Sequence, residues 1–134
     1  MPGAGGTGIR WVPIALGAMA GYVLQLAAGF VTPASSSPLA LTLPGFVALL
    51  VGGLIAARLA GRLELLHGAL TAVPFIIVSE FLRLSVEMEL ARASPGVPPR
   101  MNMAGLAFSD LVLLAGAAAG GWLAGLVAAK RKEP

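Results

Sequence analysis

The chain has 134 residues, 57% of them hydrophobic and 11% charged, with a formal net charge of +3 and no cysteine. Soluble domains carry roughly 45–50% apolar and about 25% charged residues, so these side chains do not suffice for a water-facing surface. The lack of thiols excludes disulfide scaffolds, thiolate zinc sites and thiol redox chemistry by this chain alone, and the length leaves room for one helical module.

Residues 1–9 are glycine-rich, lack apolar periodicity and read as a flexible tail. From Trp11 to Val31 no charge interrupts the sequence, and a helix of that length crosses about 30 Å of hydrocarbon at about 1.5 Å per residue. It exceeds the roughly 7–15 residues of a signal-peptide core, so it reads as a retained span despite Arg10 before it. Thr32 to Pro38, with three serines and two prolines, reads as a loop. Pro44 then suits the first turn of a second span over residues 44–61. Arg58, Arg62 and Glu64 mark a tight connection to a third span over 63–84. There Pro74 removes the bond to the Leu70 carbonyl and predicts a kink. Glu80, Arg83 and Glu87, at spacings of three and four, carry this helix outward into an outer segment over 85–103, in which Ser94 to Pro99 cannot be helical. The fourth span covers 104–129. The fold class predicted is an all-α integral membrane four-helix bundle, one transmembrane domain from 1 to 134.

Basic residues near the spans divide unevenly. Arg10, Arg58, Arg62, Lys130, Arg131 and Lys132 fall on one side, and Arg83, Arg92 and Arg100 on the other, which predicts cytoplasmic N and C termini. Gly52 to Arg62 aligns with Gly120 to Lys130 at an offset of 68 residues, so the chain reads as two related helical hairpins.

Lipid tails are as apolar as leucine, so small residues that let backbones approach must join such helices. The sequence offers Gly17 and Gly21 on the first span and Gly53, Ala57 and Gly61 on the second. The fourth span offers two ridges, Gly116 with Gly120 and Gly121 with Gly125. These faces predict packing against neighbours in the chain, in a homo-oligomer or in a protein partner, with the lipid bilayer around them. The positive charge is explained by topology, and no nucleic acid partner is expected.

Polar residues at membrane depth are costly and mark candidate sites. Gln25, Glu80, Arg83 and Asp110 share the outer half and form the candidate intramembrane polar cluster, either a proton or ion pathway or an arginine that locks two helices. His67, the one histidine, follows Glu64 by three positions and reads as an interfacial cap rather than a metal ligand. Ser35, Ser36 and Ser37 have no histidine on their side of the membrane, and no phosphate-cradling loop is present. Neither catalytic residues nor a metal or other cofactor is therefore expected.

The run Gly52, Gly53, Ala56, Arg58, followed by His67, Gly68 and Ala69, resembles a group of small uncharacterised bacterial membrane proteins with four predicted helices. That resemblance implies four spans in a bacterial plasma (inner) membrane and brings no activity with it. Small multidrug exporters are a poorer likeness, since they rely on a glutamate in the first helix and residues 11–31 hold none. The expectation is a non-enzymatic accessory or packing subunit of a membrane complex or homo-oligomer. The alternative is a small transporter or channel built on Glu80, Arg83 and Asp110.

Overall fold

The computed structural model describes residues 8–31, 38–94, 96 and 103–131. Every element among them is helical: α1 (Trp11–Val31), α2 (Pro38–Ala60), α3 (Glu64–Leu70), α4 (Ala72–Ala93) and α5 (Met103–Lys130). Among the described residues four stretches are long and apolar enough to cross a membrane, with α3 and α4 together making the third, Glu64–Ala93. The expected tail lies almost wholly outside the described residues, as do the serine loop and the proline-rich stretch after Ser94.

One boundary differs from the sequence reading. The second helix begins at Pro38 rather than Pro44, which stands inside it. Pro38 lacks only an N–H that a first turn leaves unused, and Leu39, Ala40, Leu41 and Leu43 continue the helix across Pro44. The third helix runs on past the span to Ala93, in line with the acid and base spacing of Glu80, Arg83 and Glu87, and Ser94 closes it by donating its N–H to the Leu90 carbonyl at 3.0 Å. The proline kink takes the form of a one-residue interruption at Thr71. Its N–H turns to the Gly68 carbonyl at 3.0 Å, three residues before Pro74.

Glycines set how close the helices come. A β-carbon on Gly17 of α1 would overlap the Gly52 carbonyl of α2, and one on Gly52 would overlap the Gly17 carbonyl in return. Further along, Gly21 faces the Ala48 carbonyl. Position falls on α2 as it rises on α1, so the two run antiparallel. On the other side of α2, Gly116 abuts the Phe46 carbonyl and Gly120 the Leu50 carbonyl, which makes α2 and α5 parallel neighbours. Gly53 answers from α2 by abutting Ala117. The second ridge of α5 takes α3: Gly121 lies against the Glu64 carbonyl and the Gly68 α-carbon. Neighbouring residues in each double glycine thus serve different partners. Gly61 departs from its expected role, because a β-carbon there would touch nothing within 4 Å.

The apolar centre gathers Leu49 from α2, Ala72 and Phe75 from α4 and Ala117 from α5, with Tyr22 of α1 against them. The Tyr22 and Phe75 rings are 4.5 Å apart at 33°, and the Tyr22 hydroxyl donates to the Phe75 carbonyl at 3.0 Å. Its oxygen is 2.9 Å from the Ser79 hydroxyl, which donates in turn. From Ile77 on, apolar residues of α4 face outward: Ile77, Phe81, Leu82, Val86, Met88 and Leu90 are all more than half exposed.

Two glycine substitutions separate close approach from helix propensity. Gly120→Val drives side-chain atoms into the α2 backbone and is expected to lower stability by roughly 1–3 kcal/mol or more. Gly29→Ala, whose β-carbon meets nothing within 4 Å, is expected to stabilise by up to about 0.5–1 kcal/mol. Thermal unfolding in mild detergent, followed by circular dichroism, measures both.

Candidate functional site

At the end where α2 gives way to α3, the chain reverses within three residues. Gly61 takes a φ of 68° and donates its N–H to the Ala57 carbonyl at 3.1 Å, a left-handed helix ending that glycine adopts without steric cost. Leu63 is held in the same region at φ 49°, which a non-glycine residue seldom occupies, and its carbonyl becomes the anchor of the turn. His67 supplies two bonds to that carbonyl, from its backbone N–H at 2.9 Å and its Nδ1 at 3.1 Å. Nε2 accepts the backbone N–H of Arg10, just ahead of α1, at 3.0 Å. An acceptor Nε2 places the ring hydrogen on Nδ1, so both nitrogens of a neutral imidazole are satisfied.

His67 thus acts as a cap, but a buried one that serves another helix. It is fully buried, as is Thr71, whose hydroxyl donates to the His67 carbonyl at 2.9 Å. It caps the start of α1 from another helix, using an N–H that α1 itself leaves free. Two arginines complete the clasp: Arg10 donates to the Ala60 carbonyl at 3.5 Å, and Arg62 to the Gly8 carbonyl at 3.2 Å. The segment before α1 and the α2–α3 turn thus hold each other reciprocally. Sequence reasoning missed this because a histidine three residues after a glutamate looks like a surface pair. The available signal was Gly68 beside it, which lets the Gly121 backbone close over that face.

The polar residues of the outer half are placed differently from expectation. Ser79, Glu80, Arg83 and Glu87 form one half-buried stripe on α4, spaced by a helical turn, with apolar residues on the exposed side. Arg83 pairs along its own helix, Nε to Glu87 Oε1 at 3.3 Å, and does not bridge Glu80 to Asp110. The other ion pair among the described residues, Arg92 with Glu89, also lies on α4. Asp110 is half-buried on α5 and Gln25 half-buried on α1. The Gln25 Oε1 and the Glu87 Oε2 are enclosed without a hydrogen-bond partner among the described residues. Glu87 belongs in this group on the same four-residue spacing that its sequence displays, whereas Glu80 and Asp110 join no ion pair among the described residues. No group of three or more His, Asp or Glu gathers as a metal site among those residues either.

Comparison with protein-family models, curated proteins and solved structures finds no match to the chain. What the fold defines is a class: a helical protein with four segments able to cross a membrane, the mark of a multi-pass membrane protein.

Replacing His67 tests the clasp. His67→Ala orphans the Arg10 N–H and opens a cavity, with an expected loss of roughly 2–4 kcal/mol. Hydrogen exchange should quicken at the first amides of α1 while those of the α2–α5 contact stay protected. Equal protection in variant and parent would mean that the clasp does not hold α1.

Proposed function

We propose that the chain is a non-catalytic accessory subunit of a membrane assembly, as the composition and glycine content first suggested, with α4 as the face it offers to its protein partner. The observation that carries this reading is the length of the third span. Glu64–Ala93 holds 30 residues, about 45 Å of helix against roughly 30 Å of hydrocarbon. Counted from Glu64, the hydrocarbon is used up near Leu84 in a helix that stands upright. Val86, Met88 and Leu90 lie further on and are 59%, 57% and 61% exposed, apolar residues at a level where lipid tails no longer cover them. The small-residue ridges of α5, by contrast, are occupied by α2 and α3 of the same chain. Association through α4 thus fits the geometry better than association through the glycine ridges.

The basic-residue count supports cytoplasmic N and C termini, the resemblance to small bacterial membrane proteins supports a bacterial inner membrane, and the aligned double glycines support descent from a repeated hairpin. The transport reading built on Glu80, Arg83 and Asp110 keeps one point in its favour, the enclosed oxygens of Gln25 and Glu87. Arg83 is committed to Glu87, however, and the wide contact of α2 with α5 through glycine leaves little room for a continuous path.

Gentle detergent extraction followed by native mass spectrometry tests the assembly. The parent chain is expected with a stoichiometric partner or as a multiple of itself, and a Val86→Asn, Met88→Asn, Leu90→Asn variant as a folded single chain. A parent that is monomeric under the same conditions contradicts the proposal. Proton or ion flux in liposomes that Asp110→Asn abolishes would favour transport instead. Reporter fusions after Ala34 and at the C terminus should fall on opposite sides of the membrane.

A further inference from the structure

A cleft of about 390 Å³ opens at the basic end of the bundle, between the last turn of α2, the first residue of α3 and the last turns of α5. Its volume is in the roughly 300–1,000 Å³ range of small-ligand sites. Space exists there because the facing positions Ala57, Ala124 and Ala128 are small. Arg58 and Arg131 stand on its two sides, and Glu64 lines it from α3. We propose that this cleft seats the phosphate of an anionic phospholipid, held between the guanidinium groups of Arg58 and Arg131.

Four arginines converge on this end, and they divide in their work. Arg10 and Arg62 are bonded to the Ala60 and Gly8 carbonyls and close the clasp. Gly61 covers the Ala57 carbonyl, so the end of α2 is satisfied without Arg58. Arg58 and Arg131 are exposed, and the ion pairs among the described residues involve neither. A planar guanidinium matches phosphate oxygens two at a time, and two of them lining one cleft outweigh the single carboxylate of Glu64. Glu64 then favours a ligand with one negative charge and repels a more highly charged one.

Depth selects a lipid over free phosphate. The apolar spans end at Ala60 on α2 and at Lys130 on α5, which puts Arg58 and Arg131 at headgroup level. Val127 lines the cleft, and Leu126 and Trp122, a helical turn apart on the same helix, are exposed just deeper in the membrane. An acyl chain leaving the cleft has these side chains to lie against, whereas inorganic phosphate gains nothing from them.

The test uses the full chain in mild detergent with phosphatidylglycerol or phosphatidylcholine of identical acyl chains, read by native mass spectrometry. The parent is expected to retain phosphatidylglycerol over phosphatidylcholine, and Arg58→Gln with Arg131→Gln to lower that preference at least about tenfold, as lost charge-assisted bonds imply. Arg92→Ala, far away on α4, should leave it unchanged. If the double variant fails to fold, each single variant carries the same comparison at about threefold to tenfold. Three results would overturn the proposal: equal retention of the two lipids by the parent, undiminished preference in the arginine variants, or displacement of the bound lipid by millimolar inorganic phosphate.

Discussion

Close backbone contact on both sides of α2 is the constraint on which the rest of the structure depends. In a bilayer the hydrophobic effect places helices in the membrane but gives them no reason to touch, so cohesion has to come from van der Waals contact at short range. Gly52 meets Gly17 of α1 on one side, and Gly53 and Leu50 meet Ala117 and Gly120 of α5 on the other. Side chains at these points would hold the helices apart and forfeit the dispersion energy that depends steeply on separation. Because α2 is gripped twice, its end is fixed, and the turn after it becomes a rigid platform for the clasp of His67, Arg10 and Arg62.

The same constraint explains why the two halves of the molecule differ. The buried histidine and the arginine clasp lie at the α2–α3 turn, where Gly121 brings the α5 and α3 backbones together, while the glycine contacts of α2 continue away from it as far as Phe46 against Gly116. Toward the far end α4 holds to α1 mainly through Tyr22, with its hydroxyl on the Phe75 carbonyl and Ser79, and then turns one polar stripe inward and outward a mostly apolar surface that also carries Ser85, Glu89 and Arg92. An outward apolar face is ordinary against lipid, and it is the reverse of what water requires. Only where α4 outruns the hydrocarbon does that face ask for a protein to cover it. The tight end suits fixed binding of a headgroup, and the loose end suits association.

Most of the architecture was legible in the sequence because its signals are strong and local. The uncharged run from Trp11 to Val31 and the small-residue ridges of α5 follow from composition and periodicity alone. Pro74, which has no N–H to give the Leu70 carbonyl, announced an interruption close to Thr71. What escaped depends on tertiary geometry. Pro44 could sit inside a helix because a proline near the start removes few bonds, and no local rule separates that from a new beginning. His67 required knowing that Arg10, 57 positions earlier, would come to its ring. Arg83 had two acids within reach along its own helix, Glu80 and Glu87, and one expected on another. The helix-spaced Glu87 won because it costs no new contact between elements.

Whether the glycine ridges of α5 are used within the chain is the central claim, and a disulfide tests it most directly. The chain has no cysteine of its own, and a β-carbon at Gly125 would lie 3.8 Å from that of Glu64, a separation suited to a disulfide. A Glu64→Cys, Gly125→Cys double variant oxidised in native membranes is predicted to cross-link within single chains, as seen by peptide mass spectrometry. Cross-linking between chains, or none at all, would contradict the account.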